Sequence, residues 1–122
     1  MIDALQLIHS AGYTHNDIKP ANIMLDINDQ EDKLKVTLID FGFAKQYINM
    51  GKHIEQSRMT SFQGNLIFSS INQMNFISTS RRDDIISMCY IFLTLLNHFS
   101  FPIPDDEMMN PFDESLNITE MF

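Results

Sequence analysis

Ile2, Leu5 and Ile8 fall on one helical face, with Ala4 and Leu7 beside it, and Gly12 stands where such a helix would stop. The pattern predicts a helix over residues 2–10. A polar loop over 13–22 comes next, because Pro20 donates no backbone hydrogen bond and biases Lys19 away from helix. Ile23-Met24-Leu25 reads as a short strand and residues 26–33 as a polar turn. Lys35 to Ile39 alternates and carries β-branched Val36, Thr37 and Ile39, so it reads as a second strand. The two strands make a hairpin with a long connection. Closing it brings Asn22 near Asp40, where both can ligate one cation.

Residues 43–80 keep no sustained period. Short helical pieces are predicted at Ala44–Tyr47 and Ser70–Met74, and a stretch this irregular belongs to a functional loop. Ile85 to Leu96 is apolar on nearly every face, which predicts a helix at the centre of a domain. The elements around it are too few to enclose it, and no N-cap residue precedes the first helix. Both observations predict a partial domain over 1–98. Residues 99–122, with Pro102, Pro104 and Pro111, read as an acidic, irregular tail.

Charge narrows the classes of partner. The net charge of -8 argues against nucleic acid and anionic membranes. It is concentrated in the tail, where Asp105, Asp106, Glu107, Asp113, Glu114 and Glu120 meet no Lys or Arg. Cys89 is the only cysteine, so no internal disulfide forms, and it reads as a small buried hydrophobe. The N-terminus shows no basic export signal, and the apolar run at 85–96 is too short to span a bilayer. A cytoplasmic or nuclear location is expected.

The candidate chemistry lies in His15-Asn16-Asp17-Ile18-Lys19-Pro20-Ala21-Asn22. The carboxylate can orient a hydroxyl and accept its proton. The amine can neutralise phosphate charge, and the carboxamide oxygen can ligate a hard cation. Asp40-Phe41-Gly42 stands eighteen residues after Asn22. Either tripeptide alone is weak, since an ordinary polar loop or a turn after a strand contains the same residues. Together, in this order and spacing, they match the catalytic loop and metal-binding motif of protein kinases.

The chain resembles eukaryotic-type protein kinases, and within them the casein kinase 1 family. Ser70-Ile71-Asn72 stands where most kinases have Ala-Pro-Glu, and Ser80-Arg81-Arg82-Asp83-Asp84 is similar to a stretch of that family. The resemblance covers roughly residues 5–97. It implies an α+β, mainly helical fold: a partial C-terminal lobe with catalytic loop, small β-hairpin, activation segment and central buried helix. It implies Asp17 as catalytic base, Lys19 as the catalytic and nucleotide-binding contact to the transferring phosphoryl group, and Asn22 and Asp40 as ligands of the Mg2+ bound to ATP. A Lys at position 19 resembles Ser/Thr rather than Tyr kinases. His15 and Asp84 are implied to be structural, with Asp84 bonding the catalytic-loop backbone. A protein substrate and ATP are the implied partners; oligomeric state is left open.

Some positions depart from the family. Asn16 replaces the Arg that anchors a phosphorylated activation loop. Asn65 replaces a Thr that bridges Asp and Lys, Ile67 replaces a basic residue linked to acidic substrates, and Cys89 replaces a Gly. No Gly-rich phosphate loop, strand Lys or partner Glu is recognisable in these 122 residues. The first reading is therefore a Ser/Thr kinase fragment, inactive alone. The alternative is a non-catalytic kinase-like binding protein (a pseudokinase). A metal-dependent hydrolase using Asp17 and Asp40 explains neither family-selective stretch.

Overall fold

The computed structural model describes residues 1–28 and 33–98. The chain divides into one compact unit over Met1–Phe92 and another over Leu93–Phe122, and the candidate site lies in the first. The tail expected over 99–122 lies outside the described residues.

Helix α1 (Ile2–Ser10) matches the periodicity and ends at Ala11, after which Gly12 turns at φ +86°. Its single fully buried residue is Leu5, while Ile2 and Leu7 of the expected apolar face are exposed. Strand β1 (Tyr13–Thr14) comes next, then a 3-10 turn (Pro20–Asn22) with Pro20 at its start, where its missing N–H costs nothing. Strands β2 (Ile23–Asn28) and β3 (Lys33–Leu38) pair antiparallel, Ile23 opposite Leu38. The hairpin is as expected, but its strands are longer. Asp26 falls opposite Lys35, and this opposite-charge pair continues the ladder into the stretch read as a turn.

The helical piece expected at Ala44–Tyr47 is instead strand β4 (Lys45–Gln46), antiparallel to β1. A distant partner satisfies its backbone: Thr14 Oγ1 donates to the Lys45 carbonyl at 3.3 Å and Tyr47 N to Gly12 O at 3.0 Å. Tyr47 is buried there, which a lone helical turn would not achieve. Strands β5 (Ile48–Asn49) and β6 (Lys52–His53) form a further hairpin around Met50 and Gly51.

Helix α2 (Ile71–Met74) is present where expected. Ser70 caps it in a reciprocal box with Gln73, Ser70 Oγ accepting from Gln73 N and Gln73 Oε1 from Ser70 N. Helix α3 (Arg81–Leu96) completes an α+β fold of three helices and two-stranded sheets among the described residues.

The helix apolar on nearly every face is covered along one side only, as the small number of elements around it predicts. Asp83, Asp84, Ser87, Met88 and Ile91 form one buried stripe at spacings of three and four, whereas Ile85 is 37% and Phe92 40% exposed. Cys89, expected inside, is exposed because it lies off that stripe. No helix among the described residues is long and apolar enough to cross a membrane.

Candidate active site

Buried polar groups organise the site. Asp84, on the first turn of α3, accepts hydrogen bonds from His15 N (2.9 Å) and Asn16 N (2.8 Å). His9 of α1 contacts the same carboxylate at 2.8 Å. Asp84 is 1% exposed, so these bonds replace the water it has lost. The bracing of the catalytic loop implied by the resemblance is present. His15 accepts from Asp17 N at Nδ1 and reaches the Ile39 carbonyl through Nε2 at 3.0 Å, which assigns the proton to Nε2. Ile39 N in turn donates to the Asn22 carbonyl at 3.0 Å. The loop and the residue before Asp40 are thus bonded at two points. Asn16 takes φ +67°, a conformation Asn tolerates better than most residues, and its amide donates to Phe43 O at 2.8 Å.

Three donors converge on the carboxylate of Asp17. Lys19 Nζ meets Oδ2 at 2.7 Å and Asn22 Nδ2 meets it at 3.0 Å, while Asn65 Nδ2 approaches Oδ1 at 3.3 Å. Burial works to raise the Asp17 carboxyl, but the Lys19 ammonium and the Asn65 and Asn22 amides outweigh it and hold the group below its ordinary value. Asp17 is therefore ionised at neutral pH. A carboxylate has about four acceptor positions, so three donors leave one, on Oδ1, for a hydroxyl.

Asn22 is buried, and its second amide bond, to Asp17 O at 2.9 Å, fixes the carboxamide orientation. That orientation leaves Oδ1 as the only atom of the group able to ligate a cation. Asp40 is exposed at φ +61°, with Oδ1 accepting from Gly42 N at 3.2 Å. Hard oxygens of this kind suit Mg2+, which takes one or two carboxylate-type ligands and completes its shell with phosphate and water. No group of three His, Cys, Asp or Glu side chains that could hold a metal occurs among the described residues.

Asp83 fastens the other side. It accepts from Ser70 Oγ (2.6 Å), Asn72 Nδ2 (3.0 Å) and Ser80 N (2.8 Å). The Ser-Ile-Asn stretch and the Asp-Asp pair are therefore one bonded unit. Gln73 extends it, donating to Asn16 O and Gln63 O at 3.1 Å each. Gly64 fits between them at φ +115°, where a Cβ would lie 2.7 Å from Asn16 O.

Sequence reasoning missed Asn65, reading it as the loss of a bridging Thr. An amide is also a donor, and the Asn65 side chain additionally accepts from Phe68 N at 2.8 Å, an Asx-type turn. The signal was an Asn three residues before an apolar anchor.

The family model of the protein kinase domain matches residues 1–121. The chain belongs to the protein kinase family. It is 36% identical over 96 residues to a probable casein kinase I homolog of Encephalitozoon cuniculi, covering 78% of this chain and 29% of that protein. It is 34% identical over 94 residues to a probable serine/threonine-protein kinase of Dictyostelium discoideum, covering 76% of this chain and 19% of the other. A casein kinase 1-like protein of Oryza sativa subsp. japonica is 33% identical over 98 residues, covering 78% and 14% respectively. This kinase chain thus spans less than a third of each of these relatives.

Proposed function

We propose that the chain carries the phosphoryl-transfer residues of a casein kinase 1-type Ser/Thr kinase acting on a protein hydroxyl with Mg-ATP. The observation that supports this best is the convergence of Lys19, Asn22 and Asn65 on an ionised Asp17. Asp17 orients the substrate hydroxyl through its remaining Oδ1 position and takes its proton as the hydroxyl oxygen bonds the γ-phosphorus and the γ-phosphorus–oxygen bond to the leaving ADP breaks. With a carboxyl held low, it is an orienting group first and a base second. Lys19, held against Asp17 and partly exposed, offers positive charge to the transferring phosphoryl group. Asn22 and Asp40 would hold the magnesium, which would supply positive charge against the phosphate groups.

No Gly-rich loop or strand Lys is recognisable in these 122 residues, which provide one wall of a nucleotide cleft. Transfer of labelled phosphate from Mg-ATP to casein is the test. No transfer is expected from the chain alone, and Asp17-dependent transfer once a lobe with a Gly-rich loop is fused before Met1. Activity of the chain alone above an Asp17→Asn control would overturn its inactivity; a silent, folded fusion would overturn the kinase reading. A non-catalytic binding role loses one of its grounds because Asn65 bonds Asp17. A cytoplasmic or nuclear site of action accompanies the proposal.

A further inference from the structure

Two interior oxygens lack the donor that burial demands. Asn16 Oδ1 and Gln63 Oε1 are both shielded from solvent, and neither meets a hydrogen-bond donor among the described residues. Buried acceptors are almost always paired, so each such atom calls for a ligand. Asn16 is 5% exposed. Its amide nitrogen donates to Phe43 O at 2.8 Å, which fixes Oδ1 as the unpaired end of the group. The two residues share one neighbourhood. Gln73 Nε2 bonds the backbone carbonyls of both at 3.1 Å, so those carbonyls lie no more than twice that distance apart. Gly64, which follows Gln63, packs so closely that a Cβ there would lie 2.7 Å from Asn16 O.

The surrounding charge says what these oxygens take. Asn16 N donates to Asp84, Asp17 is the next residue in the chain, and both carboxylates are 1% exposed. An Arg at position 16, as in the family the chain resembles, would put a positive charge beside them; here two acceptors are left instead. From Met59 to Ser80 the chain holds no Lys, Arg or His to restore that charge. Lys19 is engaged with Asp17 at 2.7 Å, and Arg82 lies beside Asp83 at 3.5 Å. An anion would meet oxygen with oxygen next to two carboxylates, so the place selects a cation. Mg2+ demands near-ideal octahedral geometry and favours carboxylates and phosphates. Neutral amide oxygens suit a larger monovalent ion, whose water shell carbonyl groups replace readily.

We propose that Asn16 Oδ1 and Gln63 Oε1 bind a monovalent cation of the K+ class, which ties the catalytic loop to the stretch before Gly64. The role is the reverse of the anion-anchoring one implied for an Arg at this position. It stands whether or not the chain transfers phosphate.

Urea unfolding of the 122-residue chain in KCl and in choline chloride, at equal ionic strength, tests it. The midpoint is expected to lie about 0.5 M urea higher in KCl and to saturate as KCl replaces choline chloride. Gln63→Met keeps the length of the side chain and removes its oxygen, and is expected to abolish the difference. Gln63→Glu adds a charge to that oxygen and is expected to lower the half-saturating K+ concentration several-fold. Thallium-205 NMR reads the wild-type chain directly: Tl+ is expected to broaden on binding, and K+ to reverse the broadening. Equal midpoints in the two salts would overturn the proposal, leaving a water or a turned Gln63 amide as the partner of Asn16 Oδ1. A K+ shift that keeps its full size in Gln63→Met, or a Tl+ line that the folded chain leaves sharp, would overturn it equally.

Discussion

The loop from His15 to Asn22 and the turn from Asn65 to Phe68 meet at Asp17 and are built in opposite ways. In the loop, His15, Asn16, Asp17 and Asn22 are buried polar residues fixed by bonds to Asp84 of α3, which His9 of α1 also contacts, and to Ile39 just after β3. In the turn, polar atoms are used only at the root and the tip is exposed and aliphatic. Directional bonds in a dry interior tolerate almost no change, because each lost partner strands a donor or acceptor. An exposed aliphatic tip tolerates nearly any change as far as folding is concerned. Asp17 is therefore locked to the fold, while the side chains beside it are free to vary.

The comparison is broken most severely at Asp84. Asp84→Ala strands the buried amides of His15 and Asn16, and urea denaturation is expected to show a loss of about 3 kcal/mol or more. Asp83→Ala leaves Ser70, Asn72 and Ser80 without their acceptor, an expected loss of about 2 kcal/mol by the same measurement. Gly64→Ala drives a methyl group into Asn16 O and is expected to cost between about 1 and 3 kcal/mol. Asn65→Ala removes one donor from Asp17 and is expected to cost about 1 kcal/mol. Leu66→Ser and Ile67→Ser are expected to stay within about 0.5 kcal/mol. A tip substitution as costly as Asn65→Ala would abolish the contrast.

Acid titration sharpens the same contrast. The Asp17 carboxyl lies below its unfolded value, so its stabilising contribution is complete above that value and disappears as pH falls through the folded one. The urea midpoint is expected to be insensitive to Asp17 from about pH 5 to 7 and to decline below about pH 4. Carbon-13 NMR of the carboxyl should show Asn65→Ala moving its titration upward, whereas Ile67→Ser leaves it in place.

The legible parts of the fold came from local pattern. α1 is set by its apolar spacing and Gly12, the β2–β3 hairpin by its β-branched residues, and α2 by the Ser70–Gln73 cap. The parts that were not legible depend on partners far along the chain. A two-residue strand such as β4 has no period, and its conformation is decided by Tyr13 and Thr14. The apolar run of α3 cannot reveal which side is covered, so Cys89 looked interior and is exposed. Spacing singled out Asp17, Lys19, Asn22 and Asp40, of which Lys19 and Asn22 meet on the Asp17 carboxylate. Asn65 was not singled out, because its role depends on an amide reaching across 48 residues.

The two bonds from Asp84 to the His15 and Asn16 amides span 69 and 68 residues. On a ribosome adding about 5–20 residues per second, Asp84 is added roughly 3 to 14 seconds after His15. For that interval the loop lacks the acceptor that holds it. Its final geometry is a late event of synthesis, reached only when α3 emerges. Pulsed amide exchange on stalled nascent chains should accordingly find His15 and Asn16 protected only in chains long enough to expose Asp84.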